Sequence, residues 1–478
     1  MTRMFSFDEA VAAVNGTVVN RKGVIGGTLF VTGVSTDTRT IEEGNIYIAL
    51  KGEKFDGHNF VKQAVEKGAC AVIVNAMSKV PDNAVGIVVK DTLKALGDLA
   101  EHYRFKIGAK VIAVTGSVGK TTTRDMITAA LEPSFKVWST KKNLNNDIGL
   151  PQTILSAPQD TRVLIVEMGM RGRGQIDYLT NIAHPDIAVI TNVGYSHIGI
   201  LGSREEIRNA KCEIINGLTE NGILMVNGDD SFLFDHVRNI IPLNNGLVGI
   251  FVDDDRKTTV KNCPVCVSAS NVKENDGMDF DVSVTLGEKQ NTLKDMHIAL
   301  GGEHNVRNAC FAIMCASLLG ADMDKTREVL SNYVPMDGRG KTFHGKHYTI
   351  INDAYNASPE SMAAAFGNLN TTNPGSRKIA VLGGMLELGD DSAKLHEQTG
   401  EACGKYEFDK ILVTGDDRDA FIKGLKKLRP DADITVCKDT DDVRAKLQQI
   451  IKDKDTVLFK ASHSFGFEKL AGEFIDND

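Results

Sequence analysis

The sequence predicts an α/β protein with three domains. These are a small N-terminal α/β domain, a central P-loop domain with a parallel sheet that binds a mononucleotide, and a C-terminal Rossmann-like α/β domain. Three observations predict this class. The chain has 478 residues, which is too long for one hydrophobic core. Short apolar segments alternate with helix-like stretches. A glycine-bounded turn at residues 116–119 follows one such segment and precedes a lysine.

The predicted domains cover residues 1–90, 91–335 and 336–478. The first contains short apolar runs, and the stretch 91–103 is predicted to be a connecting helix because Leu93, Leu96 and Leu99 share one face. Helices between the strands of the second and third domains imply parallel sheets with crossover connections. Residues 247–300 alternate in apolar character, which predicts antiparallel strands. The predicted strands are 46–50, 71–74, 86–89, 111–114, 163–166, 187–191, 223–226, 348–351, 379–382, 411–413, 434–436 and 457–459.

Composition and charge narrow the possible functions. The net charge is −8 and no basic stripe is present, so we expect no nucleic-acid partner. No apolar run reaches the length of a membrane span, and acidic residues stand where a signal peptide needs an apolar core. We therefore expect a cytoplasmic protein, without membrane insertion or structural disulfides, and a monomer. Cys263 and Cys266 have zinc-ligand spacing, but one such pair is poor evidence for a metal site.

The strand–turn–helix around residues 111–131 has the build of a phosphate-binding loop. Backbone N–H groups of such a loop face an anion, its lysine supplies a positive charge and its threonine hydroxyl ligates magnesium. Only two residues separate the glycines here, whereas the general pattern has four between the first glycine and the Gly-Lys pair. The sequence therefore predicts ATP and Mg²⁺ at a shortened loop, formed by Gly116, Ser117, Gly119, Lys120, Thr121 and Thr122.

Three further candidate site residues are Glu167 and His197, which come after predicted strands, and Lys211, which lies on a helix-like stretch. Ligands of open parallel sheets lie beyond the carboxyl ends of the strands. Glu167 follows a predicted strand and can hold magnesium opposite Thr121, although a helix cap is an alternative. His197 can be a magnesium ligand, a phosphate contact or a hydrogen-bonded structural residue. Lys211, taken alone, is expected to be a surface helix lysine.

Ordered motifs along nearly the whole chain resemble those of the Mur ligases, ATP-dependent enzymes that form amide bonds in peptidoglycan synthesis. The resemblance implies a ligase that works in cell-wall biogenesis and so supports cell shape, division and the cell cycle. The motifs are Thr115-Gly116-x-x-Gly119-Lys120-Thr121-Thr122, Glu167-Met168-Gly169, Ser196-His197, Ala210-Lys211-x-Glu213, Gly302-x-His304-Asn305-x-x-Asn308-Ala309, Gly338-Arg339 and Asp353-Ala354-Tyr355-Asn356-Ala357-Ser358-Pro359.

Within the family, further segments resemble the members that join D-alanyl-D-alanine to UDP-N-acetylmuramoyl-tripeptide. The resemblance implies these two substrates and an acyl-phosphate intermediate. It also implies that residues around Thr36, Asp37 and Arg39 bind the uridine nucleotide. The discriminating segments are Asn143-x-Asn145-Asn146-Asp147-Ile148-Gly149-x-Pro151, Asp353–Met362 and Met385-Leu386-Glu387-Leu388-Gly389.

The resemblance also implies roles for individual residues. Lys211 would be carbamylated, and its carbamate would hold or orient a second magnesium together with His197 and Glu167. Lys120 and Arg339 would act on the phosphates. The nucleotide contacts would include Asn305, Asn308 and Asp353, and the substrate contacts would include Asn143, Asn145, Asn146, Tyr355 and Asn356.

Two departures from the family pattern leave alternatives open. The segment Lys460–Glu468, in the region that helps hold the amino substrate, differs from the usual Lys-Gly-Ser-Arg, and the loop at Gly383-Gly384 has Gly where the family often has Asp. The alternatives are another Mur-type amide ligase, a folylpolyglutamate-like ligase, and a nucleotide-binding regulator without catalysis. The residue at position three of the stem peptide, lysine or diaminopimelate, is left open.

Overall fold

The computed structural model describes residues 3–20, 30–242, 245–252, 265–275 and 277–476. Within these ranges the chain forms one main sheet in each of three successive segments, with helices packed against it. This is the predicted α/β class. The boundaries at residues 90 and 335 stay predictions, and Cys263 lies outside the described residues.

The first segment carries a five-stranded sheet. The edge strand Thr17–Val19 pairs antiparallel with its neighbour Gly86–Val88, and all the other neighbouring strands pair in parallel. The spatial order is Thr17–Val19, Gly86–Val88, Ala71–Val74, Asn45–Ile48 and Gly33–Ser35, with a separate two-stranded ribbon of Phe5–Ser6 and Phe30–Val31 and helices at Phe7–Val14 and Val61–Glu66.

A helix at Thr92–Ile107 joins the first segment to the second. Asp91 caps its start by accepting from the N–H groups of Leu93 and Lys94, and Gly108 ends it with a left-handed φ of 62°. The helix is thus longer than the predicted 91–103. Tyr103 donates to the carbonyl oxygen of Ala157 at 2.8 Å, within a core that residues of the first and second segments share.

The central sheet has nine strands. Seven strands pair in parallel, and two further strands extend the sheet at one edge by antiparallel pairing. The prediction of antiparallel strands from residue 247 was wrong for Gly246–Phe251, which pairs parallel with both of its neighbours. The spatial order is Lys289–Ile298, Met278–Leu286, Val265–Glu274, Gly246–Phe251, Ile223–Asn227, Ile187–Ile190, Lys110–Thr115, Val163–Glu167 and Val137–Ser139.

Helices cover both faces of the central sheet. Their apolar sides form two clusters of buried residues, one of which is centred on the helix Glu303–Leu319 packed against Lys120–Leu131. The remaining helices of this segment are Gly149–Leu155, Gln175–Ala183, Ile198–Leu201, Arg204–Cys212, Ser231–Ile240 and Met323–Ser331.

The third segment is a six-stranded sheet with parallel pairing except at its first strand. The spatial order is Lys341–His344, Thr349–Asn352, Thr456–Lys460, Lys378–Leu382, Lys410–Val413 and Ile434–Val436. Its helices are Pro359–Thr371, Ser392–Cys403, Arg418–Leu428, Thr440–Ile450 and Phe467–Asp476.

None of the helices within the described ranges is long and apolar enough to cross a membrane. Free thiols are found at Cys70, Cys212, Cys310, Cys315, Cys403 and Cys437.

Candidate active site

A cavity of about 1000 Å³ lies at the carboxyl ends of the central strands and extends to the third segment. Parallel sheets bind their ligands at this edge, because the loops after the strands converge there. The cavity brings together most of the predicted site residues, namely Gly116, Ser117, Gly119, Lys120, Thr121, Thr122, Asn143, Asn145, Asn146, Glu167, His197, Lys211, Asn305, Asn308, Arg339, Asp353, Tyr355 and Asn356.

The phosphate-binding loop begins where the strand Lys110–Thr115 ends. Gly116 has a φ of 152°, and a Cβ atom there would lie 1.9 Å from the hydroxyl oxygen of Thr191, so only glycine fits. The N–H groups of Ser117 and Val118 donate to the carbonyl and side-chain oxygens of Asn192 at 3.1 and 3.0 Å. The neighbouring strand therefore fixes the shape of this short loop.

Lys120 starts the helix that follows the loop. Its ammonium donates to the carbonyl oxygens of Gly116 at 2.7 Å and Ser117 at 3.2 Å. Burial lowers the pKa of Lys120, while the charge of Glu167 opposes that shift. The ammonium thus lies against the loop that would hold a phosphate, where a negative charge would stabilise it.

The sequence analysis placed Glu167 immediately after its strand. In the structure Glu167 is the last residue of that strand. Its Oε2 accepts from the Thr121 hydroxyl at 2.9 Å, and its Oε1 accepts from the amide of Asn145 at 2.8 Å. The side chain is only 3% exposed. These contacts place the carboxylate opposite the Thr121 hydroxyl, as expected from the sequence.

Arg124 is a further member of this group that the sequence analysis did not single out. Its Nη1 donates to Oε2 of Glu167 and to the carbonyl oxygen of Lys142, both at 3.1 Å, and its Nη2 donates to Asp125 at 2.6 Å. The guanidinium is buried, with 1% of the side chain exposed. Its spacing of three residues from Thr121 puts both side chains on one helix face, which is the signal that could have identified it.

Lys211 lies on the helix Arg204–Cys212, where it is 2% exposed. The expectation of a surface lysine, drawn from its local sequence alone, was therefore wrong. Burial holds the pKa of Lys211 well below its usual value, and the charge of Lys120 lowers it further. Burial thus favours the uncharged amine of Lys211, the form that has a free electron pair.

His197 precedes the short helix Ile198–Leu201 and has a left-handed φ of 68°. Its Nδ1 is 2.6 Å from Oε2 of Glu387, which belongs to the third segment. Burial lowers the pKa of His197 and the nearby charges of Lys120 and Lys211 act in the same direction, whereas Glu387 raises it. The three basic side chains thus act on one another within one cleft.

Two asparagines on the helix Glu303–Leu319 face the phosphate loop. The amide oxygen of Asn308 accepts from the Thr123 hydroxyl at 3.0 Å, and its nitrogen donates to Asn305 at 3.1 Å. A Cβ atom on Gly119 would lie 3.3 Å from Asn308. Both amides are thereby held beside the loop.

The third segment contributes an arginine and an ion pair to the cavity. Nη2 of Arg339 donates to the Thr121 hydroxyl at 3.2 Å, and its guanidinium lies 3.6 Å from the centre of the Tyr355 ring. Asp353 pairs with Lys460 at 2.7 Å, and Lys460 also donates to the carbonyl oxygen of Asn356 at 2.8 Å. Burial raises the pKa of Asp353 although Lys460 opposes the shift. A role for Lys460 itself was not predicted.

The two departures from the family pattern meet in space. A Cβ atom on Gly384 would lie 3.3 Å from the Phe465 ring, and one on Gly383 would lie 2.6 Å from the Ala461 Cβ. Phe465 therefore fills space beside the position where the family often has Asp. Gly384 and the segment Lys460–Glu468 therefore pack against each other.

The predicted uridine-binding residues lie elsewhere. Thr36 and Asp37 line a second cavity of about 960 Å³, and Arg39 lines neither cavity. Nη2 of Arg39 contacts Asp37 at 2.6 Å, and this hydrogen bond lowers the pKa of Asp37 to about 2. Gln152 donates to the Thr36 hydroxyl at 2.7 Å. The segment between residues 143 and 152 therefore reaches from one cavity to the other.

The donors in the main cavity suit a magnesium ion that is shared with phosphates. Among the described residues, no group of three or more His, Cys, Asp or Glu side chains could hold a metal ion. Magnesium typically takes one or two protein carboxylates and completes its shell with phosphate oxygens and water. The hydroxyl of Thr121 and the carboxylate of Glu167, 2.9 Å apart, meet that description.

Comparison with known proteins identifies the family. The model described as "Mur ligase middle domain" matches residues 114–316, "Mur ligase, glutamate ligase domain" matches 338–463, and "Mur ligase family, catalytic domain" matches 30–104. The UDP-N-acetylmuramoyl-tripeptide–D-alanyl-D-alanine ligase of Bacillus subtilis is 38% identical over 97% of this chain and 99% of that protein. The Escherichia coli ligase of the same name is 31% identical over 95% of each chain.

Solved structures agree with these relatives. MurF from Acinetobacter baumannii superposes with a TM-score of 0.85 at 28% identity and covers 99% of both chains. MurF ligase from Thermotoga maritima in complex with ADP gives a TM-score of 0.76 at 28% identity and covers 93% of this chain and 97% of that one. From its phosphate loop to its third sheet, the chain belongs to the Mur ligase family.

Proposed function

We propose that this protein is an ATP-dependent, ADP-forming ligase that joins D-alanyl-D-alanine to UDP-N-acetylmuramoyl-tripeptide in the synthesis of peptidoglycan precursors. One observation carries the proposal. A single cavity holds the phosphate loop, the buried amine of Lys211 and the side chains of Arg339 and Asp353 from the third segment. The printed names of the Bacillus subtilis and Escherichia coli relatives supply the two substrates.

ATP would bind with its β- and γ-phosphates against the loop 116–121. Lys120 would give up its contacts with the carbonyl oxygens of Gly116 and Ser117 and donate to phosphate oxygens instead. Arg339, which already donates to Thr121 from the third segment, would reach the same phosphates. Asn305, Asn308 and Asp353 would complete the nucleotide contacts.

Thr121, Glu167 and His197 fit Mg²⁺ as a hydroxyl, a carboxylate and an imidazole at the same cavity. When bound, the metal would neutralise charge on the phosphates. We expect the neutral amine of Lys211 to attack the carbon of CO₂ and lose a proton, which gives a carbamate. Carbamylation would thus convert the Lys211 amine into an anion, whose oxygen atoms suit a second magnesium.

The reaction would proceed in two transfers. An oxygen of the tripeptide carboxylate attacks the γ-phosphorus, the bond to the β-phosphate oxygen breaks, and ADP leaves. The amine of D-alanyl-D-alanine then attacks the acyl carbon and loses a proton, and phosphate leaves as the amide forms. The protein would contribute position and charge, since Lys120 and Arg339 hold the phosphates while the enclosing segments exclude water from the acyl phosphate.

The two cavities suggest how the long substrate lies. The uridine end would occupy the cavity lined by Thr36 and Asp37, with Arg39 at its edge. The peptide would follow the segment of Asn143, Asn145 and Asn146 toward the phosphate loop. The amino substrate would enter beside Tyr355 and Asn356 of the third segment. Because ATP and a UDP-linked precursor are soluble nucleotides, we place the reaction in the cytoplasm.

Phosphate release measured with UDP-N-acetylmuramoyl-tripeptide, ATP and D-alanyl-D-alanine tests the proposal. Release should need both acceptor substrates, and Lys120→Ala should abolish it while Lys423→Ala, which changes an exposed lysine paired with Glu397, should leave it unchanged. Release with a different amino acid or with folate-like substrates would indicate another ligase. Tight ATP binding without any release would indicate a regulator.

A further inference from the structure

We infer that Glu387 is a positioning residue for His197: its carboxylate, supplied by the third segment, orients the imidazole of the central segment for work in the cleft. This inference rests on the proposed function. It also gives a role to the segment Met385–Gly389, which the sequence analysis used only to discriminate between family members.

The contact itself has the geometry of an orienting hydrogen bond. Nδ1 of His197 lies 2.6 Å from Oε2 of Glu387, although 190 residues separate them in sequence. A carboxylate only accepts, so Nδ1 carries the proton, and in the neutral ring Nε2 has a lone pair for a ligand in the cavity that His197 lines. Histidines that ligate metals almost always donate their other nitrogen to such a partner, which fixes the tautomer and the ring orientation.

The backbone on both sides of this contact is held in a sparsely populated conformation. His197 has a φ of 68° and Glu387 a φ of 61°, values that favour glycine. Such residues persist only where the surroundings impose them. Here the N–H of Gly199 donates to the carbonyl oxygen of Glu387 at 3.0 Å. A Cβ atom on Gly389 would lie 2.6 Å from the Cα of Gly199, so the two loops touch backbone to backbone.

Besides its contacts with the central segment, the Glu387 loop is fixed to the third segment by two hydrogen bonds. The N–H of Met385 donates to Nε2 of His396, and the N–H of Leu386 donates to the hydroxyl of Ser462, both at 3.0 Å. The carboxylate is therefore supplied to the cleft by the third segment. The imidazole is oriented only when that segment lies against the central one, so the arrangement that brings the amino substrate to the cleft also prepares His197.

Mn²⁺ binding to the full chain, in the presence of a non-hydrolysable ATP analogue and UDP-N-acetylmuramoyl-tripeptide, tests this role by paramagnetic resonance. In Glu387→Asn the side chain is too short to contact His197, while asparagine adopts a positive φ readily. The variant should weaken Mn²⁺ binding about 10- to 100-fold. kcat should fall by a similar factor. Glu387→Gln, which keeps the length and an accepting oxygen, should lose less than Glu387→Asn.

Two controls separate positioning from other effects. Asp390→Asn removes an exposed carboxylate three residues away and should leave Mn²⁺ binding unchanged. Adding Glu387→Asn to His197→Ala should cause no further loss of Mn²⁺ affinity, because Glu387 acts through that ring. Wild-type Mn²⁺ affinity in Glu387→Asn, or a full additional loss in the double variant, would overturn the inference. Absence of phosphate release by the wild-type protein would instead contradict the proposed function.

Discussion

Replacement of Arg124 by methionine should destabilise the central segment strongly. The guanidinium is 1% exposed and contacts Glu167, Asp125 and the carbonyl oxygen of Lys142. Methionine fills part of the volume but leaves the Glu167 carboxylate, 3% exposed, without its cation. Removal of one partner from a buried ion pair typically costs about 3–5 kcal/mol, so we expect the free energy of unfolding to fall by about 4 kcal/mol.

Urea unfolding followed by tryptophan emission measures this loss locally. Trp138 is the only tryptophan of the chain and lies on the strand Val137–Ser139, which pairs with the strand ending at Glu167. Arg173→Met is the matched control, because Arg173 is 56% exposed and its pair with Glu206 is expected to contribute about 0–1 kcal/mol. An Arg124→Met transition as close to wild type as that of Arg173→Met would refute the reasoning.

The loss in Arg124→Met should also depend on pH. Burial already raises the pKa of Asp125, and the charge of Arg124 opposes that shift. Without the arginine the folded-state pKa rises further above its unfolded value, so the folded variant binds more protons as the pH falls. The destabilisation should therefore be smaller near pH 5 than near pH 8. A loss that grows toward acid would contradict this account of Asp125.

Three further outcomes are expected. Lys211→Ala should lose activity and partly recover it with added short carboxylates; full activity without them would exclude the carbamate. Removal of dissolved CO₂ should lower wild-type activity, because burial favours the uncharged amine of Lys211 that would react with CO₂, and bicarbonate should restore the activity. Gly116→Ala should weaken ATP binding at least about tenfold because its Cβ would meet Thr191, whereas Gly202→Ala, with a φ of 84° and open space, should not.

The phosphate loop, Glu167 and the parallel sheets were predictable because each is encoded locally. A β-branched strand that ends in glycine, with lysine and threonine after it, specifies both the loop and its edge of the sheet. Lys211 was not predictable from its own helix, since the residues that bury it come from other parts of the chain. Only the resemblance to Mur ligases singled it out.

The sequence analysis assigned no role to three side chains of the site, namely Arg124, Glu387 and Lys460. Each acts through a partner distant in sequence: 43 residues for Arg124 and Glu167, 190 for Glu387 and His197, and 107 for Lys460 and the carbonyl oxygen of Asp353. Hydrophobic periodicity assigns such residues to elements but does not tell which elements meet. The parallel pairing of Gly246–Phe251 was missed for the same reason, because strand direction depends on the neighbour.

The helix Thr92–Ile107 has a consequence for substrate length. It packs in the core shared by the first and second segments, and Arg104 near its end donates to the carbonyl oxygen of Ala183 at 2.8 Å. The segment that carries the cavity at Thr36 and the segment that carries the phosphate loop are therefore joined through a shared core. If the uridine binds in the cavity at Thr36, as we propose, a nucleotide-linked acid with a shorter peptide would leave its carboxylate short of the γ-phosphate, and the distance between the two cavities would select the length of the stem.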